Sequence, residues 1–236
     1  MDRLPNGVPT VLLAPEDLAG EVAEITGDLY RHLFRASRHA VGDPLRVVDG
    51  RGRARWAEVT AVDRRAGHLA LLEPAPPNEP EYALTLIVGT PKKERAAWLV
   101  EKATELGVTH IAFVASARSP RELGPGSLER LTRVAAAAVE QCGRSVLPAI
   151  TGVHPWREVP TLLQPIPDRW VLAPAAEGGG WGEKTAAAGV VLIGPEGGFT
   201  PEEVAELVTL GCRPVCLGER ILRVETAAVV AAARWL

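Results

Sequence analysis

The hydrophobic rhythm of the chain changes about a third of the way along. In the first part, apolar positions fall in short stretches, Glu21–Ile25, Leu45–Asp49, Ala54–Val62 and His68–Leu72, set apart by Gly and Asp turns such as Asp49-Gly50 and Ala66-Gly67. This spacing predicts short strands in a small β-rich module. Residues 28–38 break the rhythm and read as helix, which puts Arg31, Arg35 and Arg38 three or four residues apart on one face. Later in the chain, Ala83–Val88, His110–Val114, Trp170–Ala173, Val190–Ile193 and Pro214–Leu217 are nearly unbroken apolar runs, suited to strands buried on both faces. Helical stretches lie between several of them: Glu94–Leu106, Ser127–Cys142, Pro201–Leu210 and Val224–Leu236. That alternation predicts an α/β domain with a mostly parallel sheet covered by helices. Between the two patterns, Glu73 to Glu81 holds four prolines in seven residues, which favours an extended connector. The predicted organisation is a β module over 1–73, a linker over 74–81 and the α/β domain over 82–236.

Composition narrows the class. With 236 residues, 47% hydrophobic and 23% charged, the chain can bury two modest cores, and disorder, collagen and coiled coil are excluded. No apolar run is long enough for a membrane span, and the opening MDRLPNGVPT lacks a signal-peptide layout, so a cytoplasmic protein without membrane attachment is expected. Cys142, Cys212 and Cys216 are odd in number and have no CxxC spacing. The five histidines have no ligand spacing either, so neither a disulfide framework nor a metal is expected. The net charge of −3 hides an uneven distribution: residues 1–30 carry one arginine against six acids, and residues 31–65 carry nine arginines against four. A basic segment inside an acidic protein is either a surface for a polyanion or an ordinary solvated face.

The strongest local signal is Val191-Leu-Ile-Gly-Pro-Glu-Gly-Gly-Phe-Thr-Pro-Glu-Glu-Val204, a buried strand entering a glycine-rich turn and then a helix. Thr200 is placed to cap that helix, Pro201 fits its first turn, and Glu203 stands where a capping box needs its acid. Gly194, Gly197 and Gly198 let the backbone approach a ligand closely, and in open α/β sheets ligands gather at the carboxyl ends of strands. A second strand-turn-helix, Val215 to Ala227, turns at Gly218 and brings Glu219, Arg220, Arg223, Glu225 and Thr226. The two turns read as walls of one pocket. They match neither the dinucleotide fingerprint nor a P-loop, and Glu196 would repel a phosphate, so a neutral or cationic ligand such as a sulfonium fits better.

Leu192-Ile-Gly-Pro-Glu-Gly-Gly-Phe199 and Leu217-Gly-Glu-Arg-Ile-Leu-Arg-Val-Glu-Thr-Ala227 closely resemble the cofactor loops of the bacterial 16S rRNA (uracil-N3) methyltransferases, which are SPOUT-type, trefoil-knotted enzymes. The resemblance extends through Lys102–Val108, Ala117–Ser119, Glu140-Gln141, Arg144 and Pro148, and more loosely through Arg31–Leu33, Arg38 and Val41–Asp43. It implies a C-terminal knotted domain, an exception to the usual unthreaded chain, with a PUA-like or OB-like N-terminal barrel that grips RNA. It further implies S-adenosyl-L-methionine as cofactor, a homodimer, and methylation of uridine N3 in 16S rRNA or the small ribosomal subunit, at the decoding-region uridine 1498. Members commonly have a Val-Leu-Arg triplet where this chain has Ala36-Ser37-Arg38, so Arg38 carries over better than its neighbours. Ribose 2′-O-methyltransferases of the same superfamily usually have Ser-Leu-Asn in the last loop, whereas this chain has Ile221 to Thr226, which favours the base over the ribose. A catalytically silent RNA-binding module is the reading from another class.

On this resemblance the cofactor is expected against Leu172, Ala173, Gly194, Pro195, Glu196, Gly197, Gly198, Leu217, Gly218, Ile221, Leu222 and Thr226, largely through main-chain groups, with Ile221 and Leu222 on the adenine. Removing the N3 proton calls for a base or for donors that stabilise the uracil anion. Arg223 and Glu225 are the candidates, unless they pair with each other and only brace the loop. Arg31, Arg35 and Arg38 are candidate RNA contacts. Gln141 and Arg144 either face the cleft or serve the surface or an interface. The apolar stretch Ala227–Ala233 implies burial in the core or against a second subunit.

Overall fold

A computed structural model describes residues 7–119, 123–164, 166–173, 179–183 and 185–235. The chain divides into two units, one built from residues 1–79 and 136–147, the other from residues 80–135 and 148–236.

The first unit holds β1 (Thr10–Leu12), β2 (Val22–Ile25), α1 (Gly27–Tyr30), β3 (Pro44–Val48), β4 (Ala54–Val62) and β5 (Gly67–Pro74). They form a five-stranded sheet in the order β1-β3-β4-β5-β2, with only the β1–β3 pair parallel. Strand alternation puts Leu45, Val47, Ala57, Val59, Leu69 and Leu71 into one core with Tyr30, Leu33 and Phe34. Gly67 makes room for the Phe34 ring, since a Cβ there would lie 2.1 Å from it. β1 has no counterpart in the sequence reading because three residues are too few to show alternation.

The expected helix over 28–38 is corrected. α1 ends at Tyr30, and Arg31–Ala36 continues as a π-helical turn, in which the Ser37 N–H donates to the His32 carbonyl at 2.9 Å. Arg38 then adopts φ 61°, a left-handed conformation, and the His39 N–H closes back on Leu33 O. Arg31, Arg35 and Arg38 therefore do not share an α-helical face, although all three are exposed.

The proline-rich segment does more than connect. The Asn78 side chain donates to the carbonyls of Cys142 and Gly143, and the Glu79 carboxylate accepts from Arg144 Nε (2.9 Å) and Nη2 (2.7 Å) and from the N–H groups of Ser145 and Val146. Arg46, 1% exposed, donates to Gly143 O and Pro76 O. Burial pulls its pKa below that of an ordinary guanidinium, against the opposing charge of Glu79. Residues 136–147, assigned to the second domain from sequence, thus pack in the first unit, with Val139 and Leu147 against Val48, Ala54 and Ala75.

The second unit contains β6 (Ala83–Gly89), α2 (Lys93–Glu105), β7 (His110–Ala115), the start of α3 (Ser127–Cys142), β8 (Ala149–Pro155), α4 (Val159–Leu163), β9 (Asp168–Leu172), β10 (Ala188–Ile193), α5 (Pro201–Thr209), β11 (Arg213–Val215) and α6 (Val224–Trp235). All six strands are parallel, in the order β11-β9-β10-β6-β7-β8. The expected α/β character is therefore present. β8 and α4 escaped the sequence reading: β8 is an edge strand, half-buried along most of its length and interrupted by Gly152 and His154, so it lacks the continuous apolar run of its neighbours. Leu236, expected to end the last helix, lies outside the described residues. No helix among the described residues is long and apolar enough to cross a membrane.

Two features fix β9 and β10. At Gly189 a Cβ would stand 2.0 Å from the Trp235 ring, so α6 closes directly on the strand backbone, and Trp235 meets Trp170 edge-on at 4.6 Å. Asp168, 2% exposed, accepts from the Thr185 hydroxyl, from the N–H groups of Thr185 and Ala186, and from Arg213 at 2.9 Å. Burial opposes its charge, but these donors together hold its carboxyl below the usual range.

Glu79→Ala removes the carboxylate that Arg144, 3% exposed, shares with the Ser145 and Val146 N–H groups; an expected loss of about 3–5 kcal/mol is checked by urea denaturation. Because its folded pKa is depressed, Asp168 adds stability above the ordinary carboxylate range that is lost as pH falls through the folded value. Stability measured against pH is therefore expected to lose part of its acid dependence in Asp168→Asn.

Candidate functional site

The carboxyl ends of β9, β10 and β11 meet around one cavity of about 410 Å³, a size suited to a small ligand. Strand order dictates this location. The sheet grows outward through β6, β7 and β8, then the chain returns to lay β10, β9 and β11 on the far side of β6, which gathers the three strand ends that carry the cavity.

Three segments form the walls: Leu172 and Ala173 after β9, Ile193 to Phe199 after β10, and Leu217 to Leu222 after β11. The β10 turn is packed against its own backbone. A Cβ on Gly194 would lie 2.7 Å from the Phe199 N, and one on Gly89, at the end of β6, would lie 2.5 Å from Pro195 Cδ. Gly198 at φ 69° and Gly218 at φ 97° occupy conformations that side chains disfavour. The predicted capping box is present: the Glu203 N–H donates to Thr200 Oγ1 at 3.2 Å, and the Thr200 N–H donates to Glu203 Oε2 at 2.8 Å. Glu203 Oε1 also accepts the Ala117 N–H at 2.7 Å, which ties the end of β7 to the start of α5.

Of the twelve residues expected at the cofactor, eleven line the cavity; Thr226 is exposed on α6 and does not. Ile221 lines the rim with its side chain fully open to solvent. The structure does not pair Arg223 with Glu225. Arg223 is exposed, whereas Glu225 is 9% exposed, with Oε1 3.8 Å from Arg95 Nε. Its Oε2 is buried without a hydrogen-bond partner among the described residues. Glu225 is not itself on the cavity wall, but Val224 and Ala227 on either side of it are. In the first unit, Arg35 donates to the Arg64 carbonyl and lies over the Tyr30 ring, Arg31 pairs with Asp28, and Gln141 is exposed. Arg144 is withdrawn from the surface by Glu79, so the expectation of a cleft or surface role is corrected to an internal ion pair.

Two arginines went unnoticed in the sequence reading. Arg118 lines the cavity and donates to Gly197 O at 3.0 Å; it belongs to the Ala117–Ser119 segment of the resemblance, a usable signal. Arg95, in the first turn of α2, reaches Glu196 Oε1 at 3.5 Å as well as Glu225, and nothing local in the sequence marks it. Cys212 is no nucleophile: burial pushes its thiol up to about 11, with Arg169 only partly opposing. Among the described residues no group of three or more His, Cys, Asp or Glu is placed to hold a metal.

The sequence profile of the RNA methyltransferase domain matches residues 78–236. The chain belongs to the RNA methyltransferase family. Its relatives within that family extend the likeness over nearly the whole length. Ribosomal RNA small subunit methyltransferase E of Synechocystis sp. is 30% identical over 232 residues, covering 95% of this chain and 76% of that one. The protein of the same name from Mycobacterium bovis is 32% identical over 228 residues, covering 90% and 85%. Ribosomal RNA small subunit methyltransferase E from Neisseria gonorrhoeae, solved bound to S-adenosyl methionine, aligns at a TM-score of 0.86 and 27% identity over 96% of each chain.

In this methyltransferase, Glu203→Ala removes the acceptor for the N–H groups of both Thr200 and Ala117; a loss of about 1–3 kcal/mol is expected in thermal denaturation, with the Gly194–Phe199 turn loosened.

Proposed function

We propose that this enzyme transfers the methyl group of S-adenosylmethionine to N3 of a uridine in 16S rRNA, the decoding-region uridine 1498. The observation that carries the reading is the convergence of two glycine turns on one cavity at the carboxyl ends of β9, β10 and β11 in a parallel sheet, in a chain of the RNA methyltransferase family. The cavity suits this cofactor. Its walls are mostly main chain and apolar side chains, with Glu196, Glu219, Arg118 and Arg220 setting charges of both signs around them. The sulfonium supplies an activated methyl carbon when bound. No metal is required for that chemistry.

The chain's own residues supply the rest. Backbone groups of Leu172, Gly194, Leu217 and Gly218 bind and orient the cofactor, and Leu222 covers its base. Glu225, with one buried oxygen lacking a partner, is suited to accept the N3 proton or to hold the N3–H before transfer. Arg223, exposed just ahead of it, is suited to a uracil carbonyl or a phosphate. N3 faces its pairing partner in a duplex, so the uridine must arrive unpaired or flipped. Arg31, Arg35, Arg38 and Gln141, all exposed, are the proposed RNA contacts of the first unit, whose five-stranded sheet and core support a PUA-like barrel.

The insertion of β10 between β6 and β9, with α6 closing on Gly189, supports a knotted C-terminal domain. Exposed Trp98 on α2 and Ile221 at the cavity rim support a homodimer formed near the site. The rRNA substrate places the enzyme's work in the cytoplasm.

The test is methyl transfer from labelled cofactor to small-subunit particles lacking the modification, followed by nucleoside analysis. The expected product is 3-methyluridine, with loss of transfer on the order of 100-fold in Glu225→Ala and a smaller loss in Arg223→Ala. Release of 2′-O-methylnucleotides would replace the base reading by the ribose one, and absence of transfer together with absence of cofactor binding would leave an RNA-binding module.

A further inference from the structure

Arg95 and Glu225, which lie off the cavity wall, and Glu196, which lies on it, form one ion-pair network, and the reading above leaves Arg95 without a role. Arg95 projects from the first turn of α2 and has a carboxylate on either side. Its Nη1 lies 3.5 Å from Glu196 Oε1 in the β10 turn, and its Nε lies 3.8 Å from Glu225 Oε1 at the head of α6. Its side chain is 31% exposed, against 26% for Glu196 and 12% for Glu225. Surface ion pairs are worth little, but here one guanidinium spans two elements that must be aligned for one reaction. Both separations are long for charge-assisted hydrogen bonds, as is common where a site tightens only in the loaded state.

We infer that Arg95 is a positioning residue for methyl transfer: it couples the cofactor turn to Glu225 through Glu196. This rests on the methyltransferase reading above and assigns no direct contact between Arg95 and the substrate. The charge count supports it. Two carboxylates against one guanidinium leave a net charge of −1, and the unpaired Glu225 Oε2 is the atom that remains to meet a donor. With Arg95 present, Glu225 is held through Oε1 from one side, so Oε2 has a fixed direction. Without it, two carboxylates share a site with no cation between them; they repel each other and the turn loses its tie to α6.

Geometry makes the coupling directional. A Cβ on Gly89 would lie 2.5 Å from Pro195 Cδ, so the turn beside Glu196 is already seated on the end of β6 and has little freedom to move. Arg95 follows β6 closely in the chain and stands on α2, which packs against α6. Arg95 therefore holds Glu225 against a turn that is itself fixed, and a small misplacement of that carboxylate is costly because transfer depends on alignment.

The experiment uses the full-length enzyme with Arg95→Ala, Arg95→Lys, Glu225→Gln and the Arg95→Ala/Glu225→Gln double variant. Single-turnover methyl transfer to unmodified small-subunit particles, calorimetric affinity for S-adenosylmethionine and thermal melting are measured on each. Arg95→Ala is expected to lower the transfer rate on the order of 10- to 100-fold, with KM for the particle changed by less than about threefold. Cofactor affinity is expected to fall by about threefold to tenfold through the Glu196 arm. Arg95→Lys, which keeps the charge but not the span, restores only part of the rate. In the Glu225→Gln background the further loss from Arg95→Ala shrinks to less than about threefold, the mark of a shared function. Losses that simply multiply, or an Arg95→Ala enzyme within about twofold of wild type in both rate and cofactor affinity, overturn the inference. A wild-type enzyme that binds cofactor but methylates no particle overturns the methyltransferase reading and the inference with it, and the unaltered protein alone reveals that outcome. Melting of Arg95→Ala near the wild-type temperature is the expected companion result; unfolding at the assay temperature would reassign Arg95 to the scaffold, and Arg95→Lys, which retains the cation, then decides whether the rate loss persists in a folded protein.

Discussion

The methyltransferase unit depends on close approaches to the backbone that only glycine allows. Gly194 folds its turn against the Phe199 N–H, Gly89 receives Pro195, and Gly189 receives the face of Trp235. Each contact joins segments distant in sequence or closes a turn on itself, and each leaves no room for a methyl group. These contacts set the position of the β10 turn relative to β6 and of α6 relative to β10, and hence the depth and width of the cavity. The hydrophobic core of Ile87, Val171, Val190, Leu192 and Phe199 stabilises the sheet beneath, but the same residues would pack comparably in many open α/β sheets. The glycines select this particular one.

Polar groups then lock what the glycines permit. Glu203 is at once the reciprocal acid of a helix cap and the acceptor for the loop after β7, so one carboxylate joins two strand ends. Arg118 does the reverse from the other side, donating to the carbonyl of Gly197. The cavity wall is thus an arrangement of main-chain groups whose directions are set by the buried Glu203 carboxylate and the exposed Arg118 guanidinium, a suitable environment for a ligand recognised mostly through its shape and its positive sulfur. No single side chain carries that recognition, which is why the turns read as one pocket more clearly than as a list of ligating residues.

How far the sequence reveals this depends on the range of the interaction involved. β4, α3 and the α5 capping box were legible because alternation, helical periodicity and the Thr200–Glu203 spacing are local signals. The cavity wall was legible for a related reason: its glycines lie within two continuous motifs, and only Thr226, on the wrong side of α6, fell away. The Arg95 link was not legible, since its partners lie about a hundred residues further along the chain and only the return of the chain to β6 brings them near. The π-helical turn at Arg31–Ala36 was missed because one additional residue per turn leaves the apolar pattern nearly unchanged while rotating every later side chain. Arg144 was misread for a simpler reason: a charged residue after a helix looks like surface until the carboxylate that claims it, Glu79, is known.

The interleaving of residues 136–147 with the amino-terminal unit bears on how the protein comes into being. Val48, Ala54 and Ala75 take part of their apolar cover from Val139 and Leu147, and Arg46 finds an acceptor in Gly143. On the ribosome, that flank and the Arg46 guanidinium lack these partners until more than sixty residues beyond Glu79 have emerged. The core of Val11 to Leu71 is complete without them, but the flank that Val139 and Leu147 close is not. A fragment cut at the proline-rich stretch would keep that core and leave the flank open to water.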